Sequence, residues 1–259
     1  MDKLQEGLRT KRFGRNIFFS CEVDSTNEWA KELASLGASE GTVAIAETQT
    51  HGHGRLRREW LSPKGGLWFS IVLKSKLAAG EAVKLVFVAG LAVAEVLSEL
   101  YRLRAETKWP NDVLVNRRKV CGTLAEMKAV GEKINYVIVG VGVNANFDAK
   151  KVFPEELKVK ASSLENELGR RVKLEELFRA LLEKMENLYE LFLGEGFSPV
   201  LEKWKSYASF LGCHVEVTGV GEKWVGLALD VGSDGSLVMK LEDGTVKHVF
   251  AGDVSLLSR

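Results

Sequence analysis

Cysteine is scarce in this chain of 259 residues and is never paired at short range. The cysteines are Cys21, Cys121 and Cys213, and no C-x-x-C pair occurs. This spacing disfavours a disulfide framework and a structural zinc site. It fits a reducing compartment, and we therefore expect a cytoplasmic protein.

An excess of one charge and long apolar runs are also missing. The formal net charge is +1 at pH 7, which argues against a broad polyanion-binding surface but leaves room for a local basic patch. No run approaches the roughly 18 apolar residues of a membrane span, and residues 1–16 lack the apolar stretch of a signal peptide. We therefore expect a globular protein that does not enter a membrane.

Sequence periodicity predicts a large region of mixed strands and helices. Apolar runs bounded by turn residues predict strands, and a 3.6-residue apolar period predicts helices. The predicted strands are 16–23, 41–48, 66–73, 105–109, 112–116, 119–128 and 134–146. The predicted helices are 26–37, 78–103, 172–193 and 199–210.

The pattern changes near Leu211. From there, short alternations of apolar and polar residues are separated by turns such as SDGS and EDGT. This texture predicts a small antiparallel β module of the barrel type. We therefore expect two domains, 1–210 and 211–259.

One loop is strongly basic, THGHGRLRREW at residues 50–60. Its glycines would let the backbone approach a ligand closely, its arginines suit phosphate oxygens, and its tryptophan offers a flat face to an aromatic ring. The loop is not a P-loop, and it lacks the third glycine of a dinucleotide fingerprint. A plain solvated basic loop fits it about equally well. A zinc site on His51 and His53 fits poorly because no third ligand lies nearby.

Three further motifs put polar residues at strand ends. In KWPND (108–112) the proline forces an extended tryptophan, so an amide and a carboxylate share a rigid turn. RRKVCG (117–122) sets a lysine in a strand near a glycine, and GVGVNAN (140–146) ends an apolar strand with an asparagine. Each has an ordinary alternative, namely a turn, an edge lysine or a turn-forming asparagine. Together with the basic loop they favour a site for a nucleotide and a small, largely apolar carboxylate.

The chain resembles the biotin protein ligase family over essentially its whole length, because six motifs occur in that family's order. They are STN (25–27), Q-x-x-G-x-G-R (49–55), KWPND (108–112), K-x-x-G-x-L (119–124), G-x-G-x-N (140–144) and GDVSL (252–256). The resemblance implies an α+β fold: a mixed β-sheet flanked by helices, related to class II aminoacyl-tRNA synthetases, with a small C-terminal SH3-like β-barrel. It also implies an ATP-dependent ligase that forms biotinyl-5′-AMP and then biotinylates a lysine of a biotin carboxyl carrier domain.

The same resemblance implies roles for individual residues. Catalysis would rest on Arg55, Lys119 and Asp112. Contacts to biotin would come from Ser25, Thr26, Asn27, Gln49, Gly52, His53, Gly54, Arg55, Lys119, Gly122 and Leu124. Contacts to the nucleotide would come from Arg55, Arg58, Trp60, Asn111, Lys119 and Asn144, with Asn144 also serving Mg²⁺. The loop from Gly52 to Trp60 would close over the bound ligand, and Trp60 would pack near the adenine.

The chain departs from the bacterial form of the loop motif, G-R-G-R-x-G-R-x-W, at His53 and Arg57. Because arginine is bulkier than glycine, the residue at position 57 affects the geometry that the loop can adopt when it closes. No helix-turn-helix region lies ahead of residue 16, so we expect a monofunctional ligase that binds no DNA; a homodimer is implied by the resemblance alone. Three alternatives stay open: a lipoate or octanoate ligase, a non-catalytic nucleotide-binding protein of the same fold, and a DNA-binding repressor.

Overall fold

The computed structural model describes residues 2–74, 77–130, 133–219 and 221–257. The strands are, in chain order, β1 Ile17–Val23, β2 Val43–Gln49, β3 Leu67–Leu73, β4 Ala105–Lys108, β5 Asp112–Val115, β6 Arg118–Val130, β7 Lys133–Val143, β8 His214–Thr218, β9 Lys223–Val231, β10 Leu237–Leu241, β11 Val246–Val249 and β12 Asp253–Leu256. The α-helices are α1 Asp2–Gln5, α2 Thr26–Ser35, α3 Ala79–Ala82, α4 Leu85–Tyr101, α5 Ala149–Val152, α6 Glu155–Lys158, α7 Leu164–Leu168, α8 Leu174–Glu195 and α9 Ser198–Ser206.

The first seven strands form one mixed sheet in the order β1-β2-β3-β7-β6-β5-β4. Strands β1 and β2 are parallel because α2 crosses between them, whereas the other neighbouring pairs are antiparallel. The β5–β6 hairpin turns at Asn116 and Arg117, whose φ angles of 50° and 62° suit a tight hairpin turn. The predicted mixed sheet flanked by helices is confirmed.

Helices cover both faces of this sheet, which explains why the interior strand β3 is apolar along its length. All seven residues of β3 are buried. Phe69 lies in the main core and packs edge-on against Phe178 of α8, with ring centroids 5.3 Å apart. Val72 lies in a second cluster with Ala30 of α2. Because side chains alternate between the faces of a strand, a strand covered on both faces needs an unbroken apolar run.

The long helix predicted over 78–103 is wrong in one respect, because it is two helices. Lys84 N donates to the Glu81 carbonyl at 3.0 Å, and Phe87 N donates to the Lys84 carbonyl at 2.9 Å. These bonds to the third preceding residue tighten the chain and interrupt the α-helix between α3 and α4. The deep burial expected of the segment is confirmed for α4, whose buried residues lie around most of its circumference.

Three short helices between β7 and α8 were not predicted. Side chains cap two of them: Asp148 accepts from Lys150 N at 3.1 Å at the start of α5, and Ser163 Oγ accepts from Asn166 N at 3.2 Å at the start of α7. Helices α5, α6 and α7 have only four or five residues each, so no apolar period reveals them. This segment supplies one wall of the cavity described below.

The residues after α9 form a separate antiparallel sheet in the order β11-β10-β9-β8-β12. Within the described ranges its edge strands β11 and β12 do not pair with each other, so the element observed is an open five-stranded sheet. Its buried residues, such as Val217 and Met239, join the main core. Trp109 Nε1 also donates to the Gly235 carbonyl at 2.9 Å, which ties the KWPND turn to this sheet.

No helix in the described part of the chain is both long enough and apolar enough to cross a membrane.

Glu186 of α8 holds the segment that precedes β1. Its carboxylate accepts the backbone N–H groups of Lys11 and Arg12, each at 2.6 Å, and that of Phe13 at 2.9 Å. Burial raises the pKa of Glu186, but the three backbone donors and the charge of Arg12 outweigh it, so the pKa lies below the ordinary glutamate value.

We expect Glu186→Gln to lower the free energy of unfolding by about 2 kcal/mol at neutral pH, because hydrogen bonds to a charged acceptor contribute about 1.5–3 kcal/mol. A folded-state pKa below the unfolded value means that the carboxylate stabilises the fold above the ordinary glutamate range and that this stabilisation is lost as the pH falls through the folded pKa. Urea unfolding at neutral pH and near pH 4 should therefore show the difference between wild type and variant shrinking at low pH.

Glu190→Gln is the matched control, since it removes a surface partner of Arg12 from the same helix. A surface pair contributes up to about 1 kcal/mol, so this variant should lose less stability. Equal losses in the two variants, or a difference independent of pH, would contradict the assignment.

Candidate active site

A cavity of about 270 Å³ lies where the ends of several strands meet the basic loop. The predicted site residues that line it are Ser25, Thr26, Asn27, Gln49, His53, Gly54, Arg55, Arg58, Trp60, Asn111, Asp112, Lys119, Gly122, Leu124 and Asn144. Gly52 was also predicted, but it does not line the cavity. A Cβ atom there would lie 2.6 Å from the Trp60 carbonyl oxygen, so Gly52 permits the close approach of two backbone segments.

One wall of the cavity is a network of buried polar groups at the N-terminus of α2. The backbone N–H and the hydroxyl of Thr26 both donate to Gln49 Oε1, at 2.7 and 3.1 Å. Gln49 Nε2 donates to Ser62 Oγ at 2.7 Å. Ser70 Oγ contacts Thr26 Oγ1 at 2.8 Å and Asn27 Oδ1 at 2.6 Å. These bonds fix the orientation of each side chain, so the protein's own groups organise this wall.

Alternate glycines of β7 bring neighbouring side chains close to the strand. A Cβ atom on Gly140 would lie 2.1 Å from Asn27 Oδ1, and one on Gly142 would lie 2.7 Å from Trp60 Nε1. Residues two apart on a strand share a face, so the G-x-G pattern makes room on one face for two side chains. Both glycines line the cavity, although sequence analysis assigned them no contact.

The basic loop, residues 50–60, forms another wall and is called the lid here. Trp60 N donates to the Gly52 carbonyl at 2.8 Å, and Gly54 N donates to the Arg58 carbonyl at 2.8 Å. The lid is therefore a compact turn held by its own backbone, rather than an extended solvent loop.

The tip of the lid is a tight turn at Arg55–Arg57, closed by a hydrogen bond from Arg58 N to the Arg55 carbonyl at 3.2 Å. Leu56 and Arg57 have φ angles of 55° and 56°, the left-handed conformation that is unfavourable for residues with a Cβ atom. The resembling bacterial pattern has glycine where Arg57 stands. The turn thus forms here with the bulkier residue, and the backbone of Arg57 is strained.

Two lid arginines reach the C-terminal sheet. Arg55 Nη1 donates to the Gly252 carbonyl at 3.0 Å and lies 3.7 Å from Asp253 Oδ1, while Arg58 forms an ion pair with the other carboxylate oxygen of Asp253. Burial lowers the pKa of Arg55, and the carboxylates of Asp253 and Asp112 oppose that effect. The GDVSL motif therefore contributes to the site, and Asp253 lines the cavity.

Lys119 enters the cavity beside a carboxylate and a ring. Its Nζ lies 2.6 Å from Asp112 Oδ1 and 4.9 Å from the centre of a Trp60 ring. The main chain of Lys119 is held on both sides, since its N–H donates to the Lys160 carbonyl at 2.8 Å and its carbonyl accepts from Ser162 N at 2.9 Å. The ammonium is thus fixed in direction by a rigid backbone and one acidic partner.

Trp60, the last residue of the lid, lines the cavity and packs against the mixed sheet. A Cβ atom on Gly122 would lie 3.1 Å from its ring, and the ring packs edge-on against Trp68 at 6.3 Å. Its Nε1 is buried and has no hydrogen-bond partner in the described part of the chain. An unpaired donor of this kind is unfavourable unless a ligand or water accepts from it.

Asn144 and Asn111 differ in the polar atoms that they present to the cavity. Asn111 Nδ2 donates to the Thr123 carbonyl at 2.5 Å, which holds the KWPND turn on β6. Asn144 Nδ2 donates to the Ser162 carbonyl at 2.9 Å, but its Oδ1 is buried without a partner within the described ranges. Asn144 therefore presents an oxygen acceptor at the cavity.

Sequence analysis missed the wall made by Phe153, Leu157 and Ala161. These residues lie in and between the short helices α5, α6 and α7. No local signal links them to the site. Their apolar side chains give the cavity the mixed character of small-molecule pockets.

This combination of fold and site defines a class, the biotin and lipoate protein ligases: the sequence profile of the biotin/lipoate A/B protein ligase family matches residues 19–144. The bifunctional ligase/repressor BirA of Bacillus subtilis is 32% identical over 98% of this chain and 78% of its own length. The biotin–[acetyl-CoA-carboxylase] ligase of Paracoccus denitrificans is 33% identical over 84% of this chain and 91% of its own. The chain belongs to the biotin protein ligase family.

A solved structure agrees with this assignment. The biotin protein ligase from Aquifex aeolicus in complex with biotin and ATP superimposes with a TM-score of 0.79 and 32% sequence identity, covering 95% of this chain and 100% of that chain.

Proposed function

We propose that the protein is an ATP-dependent biotin protein ligase that joins biotin to a lysine of a carboxylase's biotin carboxyl carrier domain. The observation that carries this proposal is the convergence of Arg55, Lys119 and Asn144 on one cavity opposite a preorganised polar wall. A relative bound to biotin and ATP and a relative named as a biotin–[acetyl-CoA-carboxylase] ligase support it.

The first half of the reaction needs alignment and charge cancellation, because the biotin carboxylate is already a nucleophile. A carboxylate oxygen attacks the α-phosphorus of ATP, the bond from that phosphorus to the bridging oxygen breaks, and pyrophosphate leaves. Lys119 would neutralise charge between the two anions, with its direction fixed by Asp112 at 2.6 Å. Arg55 would hold the α-phosphate from the lid.

In the second half the amine of the carrier lysine attacks the acyl carbon of biotinyl-5′-AMP. The bond between that carbon and the phosphate oxygen breaks, AMP leaves, and the amine loses a proton. We assign Asp112 to orient the incoming amine. Because its carboxylate already pairs with Lys119, it would act by positioning both groups.

The remaining predicted residues divide between the two substrates. For biotin we propose Ser25, Thr26, Asn27, Gln49, His53, Gly54, Gly122 and Leu124, with Gly52 acting through lid packing. For the nucleotide we propose Arg58, Trp60, Asn111 and Asn144. The unpaired Nε1 of Trp60 and Oδ1 of Asn144 support ligand contacts at these two residues.

The donor set also fits Mg²⁺. Magnesium prefers oxygen ligands and is usually held by one or two protein groups together with substrate phosphates and water, and Asn144 offers a buried oxygen without another partner. When bound, the ion would neutralise phosphate charge during adenylation. Asn144 would hold it at the cavity wall.

Pyrophosphate exchange into ATP tests the proposal, with biotin, lipoate or octanoate as the sole acid. We expect exchange with biotin alone. Exchange only with lipoate or octanoate would assign the protein to the sister activity. Binding of ATP without exchange for any acid would favour a non-catalytic nucleotide-binding protein.

Two further proposals concern the shape of the C-terminal sheet and the domain boundaries. We propose that the C-terminal sheet curls into a small SH3-like barrel, supported by its five short antiparallel strands. We also propose domains 1–210 and 211–259, supported by the interval between the end of α9 and the start of β8.

Our proposals for the oligomeric state and the cellular location rest on the family resemblance and on the amino-acid composition. We propose a cytoplasmic homodimer that binds no DNA. The sparse and separated cysteines support the reducing compartment, and the near-zero net charge argues against broad DNA contacts.

A further inference from the structure

The two lid residues that depart from the resembling bacterial motif face the same carboxylate. His53 Nε2 lies 3.7 Å from Glu28 Oε1, and Arg57 Nη1 lies 3.5 Å from that same oxygen. Glu28 lies on α2, one residue beyond the STN motif. Neither the sequence of the lid nor that of α2 alone predicts that these three side chains lie close together.

A second carboxylate completes the contact. His53 Nε2 lies 3.5 Å from Glu126 Oε2, on β6. The His53 side chain is only 10% exposed, and its Nε2 has no hydrogen-bond partner among the described residues. A buried imidazole nitrogen facing two carboxylates is well placed to form an ion pair when it carries a proton.

Both carboxylates are already ordered by groups outside the lid. Lys31 Nζ lies 2.9 Å from Glu28 Oε1 and 2.9 Å from Glu126 Oε1, and Asn27 Nδ2 donates to Glu126 Oε2 at 2.7 Å. Burial raises the pKa of Glu126, but these donors and the charges of Lys31 and His53 outweigh it, and the pKa is lowered. Glu28 of α2 and Glu126 of β6 therefore form an ordered carboxylate pair that can bind a cationic side chain.

A metal ion could in principle bridge Glu28, His53 and Glu126, whose ligand atoms lie within 4.8 Å of one another. The ammonium of Lys31 already occupies the space between the two carboxylates. The geometry therefore favours direct ion pairing.

We propose that Glu28 is a positioning residue which, together with Glu126, latches the lid over the cavity by pairing with His53 and Arg57, so that the adenylate is retained until the acceptor arrives. This inference rests on the proposed ligase function. The side chain of Arg57, whose backbone is strained at a φ of 56°, supplies one of the lid groups that pair with Glu28.

The test compares Glu28→Gln with Glu32→Gln, which removes the same charge from an exposed position on the same helix. Hydrogen exchange of the amides of residues 52–58 is measured in the biotin complex with EDTA present. Escape of biotinyl-5′-AMP is measured after adenylation with Mg²⁺. We expect Glu28→Gln to speed both processes about threefold to fivefold, as for the loss of partly exposed ion pairs, and Glu32→Gln to match wild type.

Non-additivity provides the second criterion. His53→Gln should also speed lid exchange, and adding Glu28→Gln should then have less effect than in wild type, because the partner is already gone. Equal behaviour of Glu28→Gln and Glu32→Gln, in an enzyme that still catalyses biotin-dependent pyrophosphate exchange, would overturn the latch and leave the ligase intact. Lid protection that disappears in EDTA and returns with Zn²⁺ would also overturn it, in favour of a metal bridge. Absence of biotin-dependent exchange in wild type would reject the function itself.

Discussion

Replacement of Lys119 by alanine should slow biotin-dependent pyrophosphate exchange by about 100-fold to 1000-fold, the effect of removing one preorganised group that stabilises charge in a transition state. This corresponds to roughly 2.7–4 kcal/mol. The physical reason is that two anions must meet in the cavity, and Lys119 Nζ is held there by Asp112 at 2.6 Å. Stopped-flow or radiolabel measurement of adenylate formation gives the rate directly.

Lys160→Ala is the control for this variant. It removes a positive charge from the segment that hydrogen-bonds the Lys119 main chain, but its side chain is exposed and lies outside the cavity lining. We expect its rate to stay within about threefold of wild type, as for a surface charge. If Lys119→Ala adenylates biotin as fast as Lys160→Ala does, Lys119 has no part in the chemistry.

Arg55→Ala should cause a loss of similar size, about 100-fold or more in adenylation rate. The guanidinium is positioned by the Gly252 carbonyl at 3.0 Å and by Asp253, and Arg55 lines the cavity, so binding a phosphate there needs little further ordering of the side chain. Arg55→Lys should rescue little, because one ammonium cannot reproduce a planar fork that bonds a carbonyl and a phosphate together. The rate of adenylation in single turnover, with biotin and ATP saturating, is the measurement.

The two arginine variants also separate charge from geometry. If Arg55→Lys restores most of the activity, the site needs only a positive charge at that position. Arg171→Ala provides the background level, since Arg171 is 74% exposed and pairs with Glu165 on the surface. An Arg55→Ala rate equal to that of Arg171→Ala would remove Arg55 from the mechanism.

Local features of the sequence predicted local features of the structure well. The strand predicted over 16–23 is Ile17–Val23, and the strand predicted over 66–73 is Leu67–Leu73, because an apolar run between turn residues is a complete local signal. The ordered motifs likewise identified nearly every polar residue that lines the cavity. The predicted helix boundaries were wrong where backbone N–H groups bond to the third instead of the fourth preceding residue, as between α3 and α4.

What the sequence could not predict was which distant residues meet. Arg55 and Gly252 are 197 positions apart, and no pattern along the chain relates them. The carboxylate pair of Glu28 and Glu126 could not be predicted either, since in the sequence each glutamate is an ordinary charged residue of a helix or strand. The apolar wall at Phe153 was missed because its helices are too short for periodicity. Such contacts are consequences of sheet order and packing, which local propensity does not contain.

The dependence of the lid on Gly252 and Asp253 has a consequence for the timing of activity. Arg55 and Gly252 are 197 positions apart in the chain, so the lid is translated well before these anchors. A nascent or truncated chain that stops before Gly252 has a lid without its C-terminal anchors, even if the mixed sheet has already formed. Such a chain lacks the contacts that hold Arg55 and Arg58, so we expect the lid to be positioned only after the C-terminal sheet has folded.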